Sequence, residues 1–171
     1  MTVFLRALRL LTMVVWVGGL VFFASVMAPT AFHTMGTSPQ FALLIGSSLG
    51  KLNQIGHMCG FVFILATLTF WSRAQPRGRR LLVTQMLLAV LMIAVTMVVQ
   101  RSILPAMERD RIAAGGDILA AAPDNPARLD FERLHPMSEK VEGAALLLGV
   151  GVVVLMAAEP GSPRAGRIVE T

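Results

Sequence analysis

The hydrophobic and polar positions divide this chain into long apolar stretches bracketed by short charged ones. Residues 10–50 contain no Asp, Glu, Lys or Arg, and neither do residues 52–72, 81–100 or 143–158. A helix needs about 20 apolar residues to cross the hydrocarbon core of a bilayer. The first three stretches meet this length, and the fourth meets it with residues from Met137 onward. The runs are apolar on every side rather than alternating, so they read as helices and not as strands of a barrel. The fold class expected is all-α, an integral membrane four-helix bundle.

The punctuation of the pattern sets the boundaries. One four-span domain is predicted over residues 1–158, with helices over about 4–28, 40–72, 80–104 and 126–158. Pro29 is expected to end or kink the first helix and Pro105 to stop the third, because proline lacks the N–H that a helix interior uses. Residues 74–78 form a tight turn. A long polar loop is expected over 106–125, after which Asn125-Pro126 reads as an N-cap followed by proline at the first helical position. Pro136 predicts a kink in the last helix. Residues 159–171 read as a flexible cytoplasmic tail. The start of the chain resembles a signal peptide, with Arg6 and Arg9, an apolar run and then Ser25-Val26-Met27-Ala28. The run exceeds the usual h-region of about 7–15 residues, and Pro29 would follow the cut. An uncleaved first helix is therefore expected.

Charge changes the picture from a set of spans to an oriented set. The pI near 11.0 invites a nucleic-acid partner, but the basic residues bracket apolar segments instead of forming one soluble patch, which excludes that reading. Arg6 and Arg9 precede the first helix; Arg73, Arg77, Arg79 and Arg80 fill the second turn; Arg164 and Arg167 follow the fourth helix. Short Arg-rich loops stay in the cytoplasm. Both termini are thus expected there, in a bacterial inner membrane, with the mixed-charge third loop outside.

Helical spacing then sorts the polar residues by face. Helices in lipid associate through small residues and interhelical hydrogen bonds. Gly46 and Gly50 form one small-xxx-small pair and Gly56 and Gly60 another. At about 100° per residue, Gly46, Gly50, Asn53, His57 and Gly60 share a face. These are the expected helix-packing positions, and the glycines would serve a homodimer or a membrane-protein partner equally well. The third helix groups Gln85, Met92, Thr96 and Gln100; the fourth groups Phe131, His135, Ser138, Glu142, Ala145 and Gly149; the first groups Thr12, Trp16, Gly19, Phe23 and Met27. All three histidines, Glu142 and the amides Asn53 and Gln100 are expected in the outer half, leaving the inner half with little that is polar apart from arginine at its rim.

Intramembrane ionisable residues are candidate functional sites by default. His57, His135 and Glu142 are the candidate metal ligands, copper being the ion that His, Met and Cys donors would suit. His57 and His135 are the candidate axial ligands for a haem between helices. Against these stands plain packing by interhelical hydrogen bonds, which is the leading expectation, with no cofactor. Ser138 and His135 lie three residues apart without a visible activating base, and no phosphate loop or CxxC is present, so the balance is against an enzyme. The one cysteine, Cys59, permits no intrachain disulfide.

Three motifs resemble a known family. Trp16-Val17-Gly18-Gly19-Leu20-Val21-Phe22-Phe23 matches W-x-G-x-x-x-F-F, Ala28-Pro29-Thr30-Ala31-Phe32 matches A-P-x-x-F, and Phe131 to Ser138 matches F-x-x-L-H-x-x-S. In order and spacing over residues 5–158 these are similar to the transmembrane protein 205-like family, also called domain of unknown function 4149. The resemblance implies a small four-helix membrane protein and implies no reaction. Pro136 departs from the pattern, where a small or flexible residue is expected.

Overall fold

The computed structural model describes residues 2–36, 38–71 and 76–159. The arginines at 73, 164 and 167, residues 74 and 75 of the expected turn and the tail beyond Glu159 lie outside them, while residues 76–78 of that turn already belong to a helix. Six α-helices follow one another: α1 (Thr2–Phe22), α2 (Ala28–Met35), α3 (Pro39–Trp71), α4 (Pro76–Val98), α5 (Leu104–Ala113) and α6 (Pro126–Ala157). No strand occurs among the described residues. Two π-helical turns, Phe23–Met27 and Val99–Ile103, join α1 to α2 and α4 to α5 without a break. Four continuous helices of 33, 33, 36 and 32 residues result, each apolar enough to cross a membrane. The chain is a multi-pass membrane protein with an all-α bundle.

The first and third helices therefore run past the prolines expected to end them. In both, the wide turn lies just ahead of the proline. Ala28 N–H donates to Phe23 O ahead of Pro29, and Leu104 N–H donates to Val99 O ahead of Pro105. A proline ring clashes with the carbonyl four residues back in an α-helix. The one-residue insertion of a π-turn moves that carbonyl aside and lets the helix continue. About half of the polar loop expected over 106–125 is consequently helix, up to Ala113. At Pro136 the last helix also continues. Its start is as expected: Asn125 Oδ1 accepts from the N–H groups of Ala127 (2.9 Å) and Arg128 (3.4 Å), with proline at the first turn, satisfying donors that a helix start leaves free.

The long helices pack as a four-sided bundle. α3 lies against α1 and α4, and α6 lies against α4 and α1, which sets α1 diagonally opposite α4 and α3 diagonally opposite α6. Trp16 is fully buried at the centre with Met13, Leu20, Phe63, Ala89, Met92, Ala145 and Val152. Gly56 and Gly60 on α3 give the indole its space. A smaller apolar cluster of Leu49, Val99 and Ile103 takes in Phe23 from the first π-turn. Leu11, Val14, Phe61, Leu87, Leu147 and Val154 are exposed on the outside, as a lipid-facing surface requires.

The charges fall at two levels. Arg79, Arg80 and Glu159 lie toward the end that holds the start of α1 and the end of α6, the near end; exposed Lys51, Arg101 and Lys140 mark a level toward the opposite, far end. About 20 residues separate the levels, roughly the 30 Å of a hydrocarbon core. Since a helix of 33 residues is about 50 Å long, the helices overshoot the core. The overshoot, made of α2, α5 and the starts of α3 and α6, forms a helical head beyond the far-end level.

Candidate functional site

Two polar layers cross the bundle interior, one near each charge level. The near-end layer was not anticipated from the sequence. Arg9, expected at the rim, is turned inward with 1% of its surface exposed. Its Nη2 donates to Gln85 Oε1 and Glu159 Oε1, each at 2.5 Å, and its Nη1 donates to Glu159 Oε2 at 3.3 Å. Gln85 Nε2 in turn donates to Glu159 Oε1 at 3.0 Å. The guanidinium carbon lies 5.4 Å and 5.3 Å from the ring centroids of Phe63 and Phe70, a cation–π arrangement. The inner half of the bundle is thus far from apolar. Physically, a guanidinium one or two turns inside the core either snorkels out or finds a carboxylate, and Glu159, arriving just after α6, supplies it. The signal in the sequence was slight: Arg9 and Gln85 lie five or more residues inside predicted spans.

The far-end layer holds most of the residues expected to matter. Asn53 of α3 is fully buried, and its Nδ2 donates to Glu142 Oε1 of α6 at 2.7 Å. His57, one turn further along α3, has Nε2 at 2.9 Å from Thr96 Oγ1 of α4. Thr96 gives its own proton to Met92 O at 2.7 Å. A hydroxyl has one proton to give, so a Thr96 hydroxyl that donates to Met92 O accepts from a His57 ring carrying its proton on Nε2. Gln100 stands in the second π-turn, its amide 3.7 Å from where a Cβ on Gly50 would lie. Among the described residues, Asn53 Oδ1, Gln100 Oε1, Glu142 Oε2 and Trp16 Nε1 are buried without a hydrogen-bond partner.

The three candidate metal ligands do not meet at one point. Glu142 is with Asn53 and His57 with Thr96, while His135 is 54% exposed, stacked on Phe131 and 3.4 Å from Glu139 on the head's outer surface. The described residues contain no group of three His, Cys, Asp or Glu side chains fit to hold a metal ion. Of the packing positions, Gly50, Asn53 and Gly60 face a neighbouring helix. Gly46 does not: a Cβ there would meet nothing within 4 Å among the described residues. It lies beyond Lys51, where the same face of α3 has passed into the head. Gly56 takes its place as a position of close approach, its added Cβ falling against Trp16 Nε1 and 2.6 Å from the nearest carbons of the indole.

The two diagonals of the bundle carry the two layers. Arg9–Gln85 joins α1 to α4, and Asn53–Glu142 joins α3 to α6. These are the pairs of helices whose backbones do not pack closely, so long polar side chains reach where small residues would not.

A family model described as Domain of unknown function (DUF4149) matches residues 11–112. The match takes in the Trp16–Phe23 and Ala28–Phe32 motifs and ends in α5, so the Phe131–Ser138 motif lies outside it. No curated protein and no solved structure matches the chain.

Proposed function

This chain belongs to the DUF4149 family, and from that premise and its own interior we propose that it is a structural or helper membrane protein. The observation that carries this reading is the pair of diagonal layers. Arg9–Gln85–Glu159 at one end and Asn53–Glu142 with His57–Thr96 at the other involve all four long helices. Interhelical hydrogen bonds of this kind fix which helix packs where and in what rotation. The result is a rigid frame suited to holding a membrane-protein partner or a second copy of the chain.

The competing reading is a metal- or haem-linked transporter or oxidoreductase using His57, His135 and Glu142. It needs His135 to leave Phe131 and Glu139 and enter the bundle. Protein purified in mild detergent is expected to be colourless and to retain no copper after incubation and dialysis. Stoichiometric copper by elemental analysis, or a Soret band after haem addition, would overturn the helper reading.

The reading includes a location: a bacterial inner membrane, with the near end and both termini in the cytoplasm. Exposed Arg79 and Arg80 at the near end support it, since arginine in short loops is retained inside. Alkaline phosphatase fused after Thr171 is then expected to be inactive, and green fluorescent protein fused there to fluoresce. The opposite pair of results reverses the orientation.

A further inference from the structure

The far-end layer leaves buried acceptors unpartnered. After Asn53 Nδ2 has donated to Glu142 Oε1, three oxygens are left: Asn53 Oδ1, Gln100 Oε1 and Glu142 Oε2. Each is buried and unpartnered among the described residues, and Asn53 is itself fully buried. Among the described residues, the buried side-chain donors without a partner are Arg9 Nε, in the near-end layer, and Trp16 Nε1, which lies against Gly56. His57 is turned toward Thr96, with its Nε2 2.9 Å from Thr96 Oγ1. The basic side chains of this level, Lys51, Arg101 and Lys140, are exposed. Oxygens withdrawn from water with nothing to receive are costly in hydrocarbon.

The three side chains come from neighbouring positions in the bundle. Asn53 touches Glu142, and Gln100 packs over Gly50, one turn from Asn53 on the same face of α3. The absence of a side chain at Gly50 is what admits the Gln100 amide. Gln100 itself belongs to a π-turn, a distortion that re-aims side chains and recurs at functional sites. The layer lies within about one turn of the Lys51–Arg101–Lys140 level, within reach of water from the far end.

We propose that Asn53 Oδ1, Gln100 Oε1 and Glu142 Oε2 form a binding site for one sodium-sized monovalent cation. Hard oxygen donors select alkali and alkaline-earth cations over soft transition metals. One carboxylate neutralises one positive charge, whereas a divalent ion would leave a net charge buried. The bound cation joins α3, α6 and the end of α4 and completes the α3–α6 diagonal. This goes beyond the helper role: it makes the frame's rigidity depend on a cation from the far side.

The test uses the full chain in lipid nanodiscs, unfolded thermally and followed by tryptophan fluorescence. Sodium chloride is compared with N-methylglucamine chloride at equal ionic strength. Sodium is expected to raise the midpoint by several degrees in a saturable way, and the rise is expected to vanish in Glu142→Gln and shrink in Gln100→Ala. Sodium-23 line broadening by the unaltered protein, competed by lithium, reads the same site without a variant and serves should Glu142→Gln fail to fold. Equal midpoints in both salts together with no line broadening overturn the proposal. A midpoint that follows pH but not sodium also overturns it and makes Glu142 a proton site instead.

Discussion

Replacing Arg9 with leucine is expected to destabilise the bundle by about 3–5 kcal/mol, the usual loss when one partner of a buried ion pair is removed. The loss arises less from the missing attraction than from what stays behind. Glu159 keeps a carboxylate whose side chain is only 22% exposed, and Gln85, fully buried, keeps an amide oxygen with no donor. Water reaching Glu159 moderates the cost toward the lower end of that range. Against a total stability of about 5–15 kcal/mol, this is enough to populate the unfolded form markedly. Denaturation of the reconstituted protein in SDS micelles, followed by Trp16 and Trp71 fluorescence, measures it. The double variant Arg9→Leu/Glu159→Leu is expected to recover much of the loss, because two apolar groups leave no charge stranded. A single variant as stable as the unaltered protein would place the Arg9 guanidinium in the headgroup region rather than in the bundle.

The second large effect concerns glycine and has opposite signs at two positions on one helix. Gly56→Ala drives a methyl group into the Trp16 indole, whose nearest ring carbons would be 2.6 Å away. The ring is fully buried among Met13, Phe63 and Met92 and cannot swing aside. Overpacking of this kind costs about 1–3 kcal/mol, and α1 and α3 must separate to relieve it. Gly60→Ala, also 2.6 Å from the ring, is expected to behave alike. Gly46→Ala meets open space and replaces a poor helix former with the best one, so it is expected to stabilise by up to about 1 kcal/mol. The same SDS titration separates them. Equal effects at positions 46 and 56 would contradict the packing of Trp16 against α3.

How much of this was legible beforehand depends on the kind of question. Of the face grouping Gln85, Met92, Thr96 and Gln100, the first three are buried and Gln100 is half-buried; on the α6 face Ser138, Ala145 and Gly149 are buried and Phe131 and Glu142 half-buried, because helical spacing alone puts such residues together. His135 breaks that rule: it shares the spacing but lies in the head, where no helix covers that side. Pro29 was expected to end or kink its helix and Pro105 to stop its own, and locally that was the sound reading. A π-turn costs little once flanking helix and tertiary contacts hold it, and Phe23, Val99 and Ile103 all enter the far-end apolar cluster. Arg9 was assigned to the rim because a positive charge near a span end is usually there for topology. Its true partner, Glu159, is 150 positions away and sits at the start of what reads as a tail.

By itself, then, the sequence determined that this is a membrane protein with four long apolar helices and how residues group by helical spacing on each. Those properties depend on runs of apolar residues and on the 3.6-residue period, both local. The tertiary structure alone decided how each helix is rotated, that Arg9 turns inward, that Asn53 takes Glu142 while His57 takes Thr96, and that three oxygens are left unpartnered. The reason lies in the solvent. In water a polar face marks the outside of a helix, but in lipid the inward and outward faces are both apolar. Hydropathy then specifies a span without specifying its rotation, and only the packing of particular neighbours, such as Trp16 into Gly56 and Gly60, settles it.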